Sequence, residues 1–205
     1  MAFRLTLTGV GAMASPRFAP AGLLVEYDGA KVVLDGGGDP GSFPDAVDGW
    51  LVTDERAELI GEIRELARER GVEAVVERFS ARGLTLDPMP VIHTSHPTYG
   101  YSIRAEERHI VWAPEFFVFP EWASHSDLMF ADAAGWDRAI HFRGCVGGHA
   151  AALAVSREAK ERQVGRLVLA HIGRPTIGAI DRGERPPFGS FGYDGARFEP
   201  RRWHR

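Results

Sequence analysis

Between Val52 and Gly61 the chain reads Val-Thr-Asp-Glu-Arg-Ala-Glu-Leu-Ile-Gly, which puts Asp54, Arg56 and Glu58 between an apolar strand-like run and an amphipathic helical one. Carboxylates at such a junction can ligate a cation or pair with arginine. A guanidinium cannot ligate, and it brings its own positive charge. Histidines mark three other junctions: His93 and His171 close apolar runs, and His149 follows Gly148 at the start of a helical pattern. Neutral imidazoles suit both metal ligation and proton transfer. His96, His109, His125 and His141 read as loop or surface residues. Cys145 reads as a nucleophile or a small core residue. As the only cysteine it leaves no intrachain disulfide, which fits a cytoplasmic location.

The elements that must position these groups follow from periodicity. Phe3–Thr8 alternates as a half-buried strand, and Leu23–Tyr27 and Lys31–Leu34 flank Asp28-Gly29, a hairpin signal. Gly9–Gly22 and Gly38–Pro44 read as loops, and Val47–Val52 as a short strand. Residues 54 to 70 predict a helix with Leu59, Ile60, Ile63, Leu66 and Ala67 on one face, Thr53 as its cap and Gly71 as its stop. Val72–Phe79 is ambiguous. Val91–Thr94, Tyr99–Ala105, His109–Ala113, Asp127–Ala131 and Arg166–Ile172 read as strands, and residues 149 to 163 and 175 to 181 as helices. Two sets of strands, each followed by helices, suit a layered α/β protein with mixed sheets. Residues 1–182 read as one domain, with 183–205 as an Arg- and aromatic-rich tail that covers it or binds single-stranded nucleic acid.

The net charge is −4, which argues against a chain that holds nucleic acid mainly by charge, although only Lys31 and Lys160 of the 24 basic residues are lysines and the arginines could cluster. No apolar run reaches the roughly 18 residues of a membrane span. The first ten residues alternate like a strand and lack a signal pattern.

Strand, Gly-rich loop, hairpin and Asp35-Gly36, then strand-Thr53, then Val91-Ile92-His93-Thr94-Ser95-His96-Pro97-Thr98-Tyr99-Gly100-Tyr101, Gly148-His149-Ala150 and Leu167–His171 follow the order of landmarks in metallo-β-lactamase-fold proteins. The chain resembles especially their branch of ribonuclease Z and related phosphodiesterases. The resemblance implies an αββα sandwich of two mixed sheets flanked by helices. It departs at the family's His-x-His-x-Asp-His motif, where Asp54, Arg56, Glu58 and Leu59 stand, and at Ala113-Pro114-Glu115, where a bridging aspartate is usual.

By that resemblance Asp35 orients the site, His149 donates a proton, and a dizinc centre is not expected. Two readings remain. In one, His93 and His171 with Asp54 or Glu58 hold a single divalent zinc, iron or manganese and hydrolyse a phosphoester or other ester. In the other the site is degenerate, with Arg56 in the vacated metal volume paired to Asp54, Glu58 or Glu115, and the protein is a binding or interaction module. Arg56, Glu115 and Asp132 are the substrate-facing candidates. A small molecule or phosphoester is the expected partner, with a homodimer through Phe116–Trp122 implied by the branch; a membrane is not.

Overall fold

The computed structural model describes residues 3–200. Two mixed β-sheets pack with helices against them, the αββα arrangement. In the first sheet β1 (Phe3–Gly9), β2 (Gly22–Tyr27) and β3 (Ala30–Asp35) form an antiparallel meander. Asp28 and Gly29 both take positive φ, as a two-residue turn between twisted strands requires. The strands β4 (Gly49–Leu51) and β5 (Ala74–Val75) then add in parallel beyond β3. Helix α1 (Ile60–Glu69) lies between them in sequence and buries Ile63, Leu66 and Ala67 against Leu24, Val33 and Trp50 of this sheet. Val32 and Leu34, one residue either side of Val33, face the central core instead, the alternation a sheet covered on both faces needs.

The second sheet begins with β6 (Phe79–Ala81), β7 (Leu84–Val91), β8 (Thr98–Ala105) and β9 (Arg108–Ala113), all antiparallel. It continues in parallel through β10 (Leu128–Ala133). A small hairpin of β11 (Ile140–His141) and β12 (Gly148–His149) follows, then α2 (Ala152–Glu161), β13 (Leu167–Ile172) parallel to β10, and α3 (Arg174–Asp181). The tail closes both sheets: β14 (Ser190–Phe191) pairs with β13, and β15 (Arg197–Phe198) pairs with β1. Arg201, Arg202, Trp203 and Arg205 lie outside the described residues, as does the Cys145 side chain. No helix among the described residues is long and apolar enough to cross a membrane.

Three elements differ from their sequence expectation, the first being the strand expected at Val91–Thr94, of which only Val91 is in a strand, as the end of β7. Leu84–Pro90 carries two prolines and gives no clear strand signal, yet it is most of β7. Pro88 and Pro90 are two residues apart, so both turn their missing N–H toward one side, where β6 pairs no further than Leu86. Helix α1 starts at Ile60 rather than at residue 54. Asp54 instead folds its own turn, its Oδ1 accepting Arg56 N–H at 2.7 Å and its carbonyl accepting Ala57 N–H at 3.3 Å.

Thr53 is not a helix cap, because its donors go to Asp35. Asp35 Oδ1 accepts Thr53 N–H at 2.7 Å and Thr53 Oγ1–H at 2.9 Å, while Oδ2 accepts the indole N–H of Trp112 on β9 at 2.7 Å. Asp35 carbonyl accepts Trp50 Nε1–H at 2.9 Å. Asp35 has φ +52, a left-handed conformation that aspartate tolerates. Burial pushes its carboxyl up to about 6 against these hydrogen bonds. Replacing Asp35 by alanine strands Trp112 and Thr53 donors between the sheets; denaturant unfolding is expected to show a loss of about 2–4 kcal/mol.

Candidate metal and proton-transfer site

The strands β3, β4, β9, β10 and β13 end at one rim of the sandwich. At or just past those ends lie Asp35, the last residue of β3, Asp132 and His171, each next to last in β10 and β13, and Asp54 and Glu115 in the turns after β4 and β9. Parallel neighbours end on the same side, so side chains far apart in sequence meet there. His171 sits at φ +54, where β13 changes register against β10, and this turns its ring into the cleft. The cost of a left-handed backbone at a non-glycine residue is concentrated at functional sites.

His93 comes from the loop after β7. Its Nδ1–H donates to the Gly148 carbonyl at 2.8 Å, and Gly148 N–H donates back to the His93 carbonyl at 2.8 Å. Gly147 permits this approach: a Cβ there would lie 2.0 Å from the His93 carbonyl oxygen. The His171 Nδ1 faces the Pro114 carbonyl at 3.2 Å. Each ring therefore has Nδ1 engaged by backbone and Nε2 left for the cleft, the arrangement that orients a ligating imidazole. Burial holds both histidines below the usual imidazole range, His171 at about 4, so both are neutral near pH 7.

Glu115 lies between them. Its carboxylate oxygens are 3.6 Å from His93 Nε2 and 3.0 Å from His171 Nε2. Burial pushes the Glu115 carboxyl up to about 8; His149 opposes this shift, and Asp132, Asp35 and Asp54 reinforce it. Two lone pairs at 3.0 Å call for a cation between them. The proton held on Glu115 meets that need, and a metal would displace it.

His149 on β12 sits beside both other rings, tilted 60° to His93 and 56° to His171 with centroids 4.7 and 5.2 Å away. Its Nδ1–H donates to Asp132 Oδ2 at 2.8 Å. Asp132 is wholly buried and also accepts Phe116 N–H at 3.1 Å and Ala134 N–H at 2.9 Å. Burial works against charge on His149, but Asp132 and Glu115 outweigh it and raise its pKa. Asp132, His149 and His171 offer ligand atoms within 4.8 Å of one another, a group that could hold a metal. The three hydrogen bonds already on Asp132 make orienting His149 its better-supported part.

The altered turn takes a different form from either sequence reading. Asp54 is buried and accepts the His96 Nε2–H on both oxygens, at 3.0 and 2.8 Å. Arg56 is exposed and its guanidinium makes no ion pair among the described residues, so it does not fill a vacated metal volume. Glu58 is exposed on the wall of the cleft that His93, His149 and His171 also line, and its charge helps raise the His149 pKa. His96 reads from sequence as a loop histidine, and its pairing with Asp54 has no sequence-local signal. His109 lies on β9 beside Ser102, where burial lowers it to about 4. In the Phe116–Trp122 segment, Phe116 and Phe119 belong to the core and Val118 is exposed. The cleft encloses about 340 Å³.

No family model matches the sequence, and no curated protein matches it. Solved structures do. YhfI of Bacillus subtilis, a metallo-β-lactamase fold protein, superposes with a TM-score of 0.73 at 15% identity over 97% of this chain and 100% of that one. This chain has the metallo-β-lactamase fold. A diphosphatase of the PhnP family shares it at TM-score 0.72 and 20% identity, covering 97% of each chain. Human tRNase Z, short form, does so at TM-score 0.63 and 14% identity over 97% of this chain and 99% of that one. Within that fold, the backbone bonds above assign His93 and His171 as Nδ1–H tautomers. Nitrogen-15 spectra of the imidazoles at neutral pH are expected to show Nδ1 protonated and Nε2 bare for both; a bare Nδ1 on either ring would break the assignment.

Proposed function

We propose that the protein is a hydrolase of phosphoesters or related esters that works with one divalent metal ion. The reading rests on the Glu115 carboxylate lying between the free Nε2 atoms of His93 and His171. Two imidazoles and a carboxylate are a sufficient donor set for zinc or iron and leave a position open. Asp54 is occupied by His96 and a guanidinium cannot ligate, so the turn after β4 offers no ligands for a second metal. The carboxylate at the centre is thus Glu115, in place of the Asp54 or Glu58 expected from sequence.

A bound metal would lower the pKa of water and neutralise charge on a phosphoryl oxygen. The chain's own residues supply the rest. Asp132 fixes the His149 tautomer and holds a proton on the ring, and His149 is placed to give a proton to a leaving oxygen. Arg56 and Arg174 line the cleft with guanidinium groups that make no ion pair among the described residues, which favours an anionic substrate. A diphosphatase and a tRNase Z share the fold, and both names denote cleavage of a phosphate linkage.

Metal analysis of untagged protein is expected to find close to one equivalent of a transition metal per chain, restored by titration after chelation. The Glu115→Ala variant should bind it at least about tenfold more weakly. Less than a tenth of an equivalent, with none restored, would overturn the hydrolase reading and leave a degenerate binding module. Replacing His149 by alanine should lower kcat on an activated phosphodiester about 10²–10⁴-fold with the metal content unchanged.

A further inference from the structure

A smaller recess of about 70 Å³ adjoins the 340 Å³ cleft. The two share Met13, Ala57, Glu58, Glu115 and His171. Met13 and Glu58 are exposed, which puts them at the mouth. The walls that belong to the recess alone are Pro20 and Ala21 before β2, Gly36 after β3, Leu59 and Ile63 at the start of α1, and Pro114 after β9. Asp35 and Thr53 also border it, but their side-chain oxygens are already held by one another and by Trp112. The inner wall therefore has no uncommitted polar side chain.

Leu59 gives the recess this character. It stands where the resemblance expects the last histidine of the altered motif. It packs beside Ile63 on the cluster under α1. A Cβ on Gly37 would lie 3.6 Å from Leu59 Cδ1 and 3.8 Å from Pro20 Cβ, so these two side chains meet over the chain leaving β3. The replacement thus does more than delete a ligand, because it lays a branched aliphatic side chain along a space that opens on Glu115 and His171. An apolar cavity of roughly 150 Å³ takes up benzene, so a space about half that size suits an aliphatic chain of about two to four carbons and is too small for a ring.

We propose that this recess is a specificity pocket for a short aliphatic group of the substrate. Glu115 and His171 border both spaces, so a group held there lies next to the reacting atoms. His149, the proton donor, borders the cleft and not the recess. The leaving alcohol then lies in the cleft and the acyl part in the recess, and the substrate class is esters of small aliphatic acids. In the hydrolysis the oxygen of water bonds to the acyl carbon, and the bond from that carbon to the leaving oxygen breaks. His149 gives the leaving oxygen its proton, and the proton lost by the water restores His149. For the reaction this rests on the hydrolase reading; for the binding of the aliphatic group it does not.

Nuclear magnetic resonance of the methyl-labelled full chain, titrated with straight-chain alcohols from methanol to hexanol, tests the pocket without calling on the reaction. The Ile63 methyl signals are expected to shift, with affinity rising about fourfold per methylene as far as propanol or butanol and no further. Leu59→Ala should enlarge the recess and move that limit up by about one to three carbons. Ala21→Leu should fill it and weaken butanol binding at least about tenfold. The two variants act in opposite directions, so loss of folding cannot imitate the pair of results. No shift at Ile63, affinity that climbs unchecked to hexanol, or a limit that neither variant moves would overturn the proposal. The 4-nitrophenyl esters of acetic, butyric and octanoic acids then read the reaction, with kcat/KM for butyrate expected at least about tenfold above octanoate. Size-limited alcohol binding without hydrolysis would leave the pocket standing and remove the reaction; equal kcat/KM on the three esters would keep the reaction and overturn the pocket.

Discussion

The Asp35 carboxylate joins the two sheets by a buried polar contact inside a largely apolar interface. It takes the Trp112 indole from one sheet and the Thr53 donors from the turn after β4 of the other. Three donors converge on one charge, so the ends of β3, β4 and β9 cannot slide past one another without stranding a buried polar group. Tyr101 adds a second tie, donating to the Val52 carbonyl at 3.1 Å. Since Asp54 follows Thr53 and Glu115 follows β9 by two residues, the same anchor sets the spacing between the turn and the imidazole group.

Around that anchor the site divides its work between two carboxylates with opposite environments. Asp132 is saturated by two backbone donors and an imidazole, and serves to hold charge on its partner. Glu115 accepts no backbone hydrogen bond among the described residues and faces the Nε2 atoms of His93 and His171, so its charge is balanced by an exchangeable proton or cation. Environment, not residue type, separates the two parts.

Much of the frame was legible in the chain. Strand periods and the Asp28-Gly29 hairpin led to a layered α/β protein with mixed sheets, because these are local patterns repeated by the tertiary structure, and the resemblance carried by the landmarks through His171 implied the αββα sandwich. The late start of α1 was not legible, because Asp35 captures Thr53 across 18 residues and removes it as a cap. Strand β7 was hidden by Pro88 and Pro90, whose tolerance depends on there being no neighbour on that edge. In the site, His93, His149, Asp132 and His171 stood out because they end or begin elements. The reach of Glu115 did not, since the position carries one more methylene than an aspartate and enters from beyond Pro114. The Asp54–His96 pair joins residues 42 positions apart, and only the folded loop after β7 makes it visible.

The last two strands, β14 and β15, complete opposite sheets, and Asp194 between them accepts Val10 N–H at 3.0 Å and Ala19 N–H at 2.9 Å from the loop that brings Met13 to the cleft. Without residues 190–198 each sheet would gain further open edge and the wall of the cleft that carries Met13 would lose its tether, so the site leans on a segment distant in sequence from most of the residues it encloses.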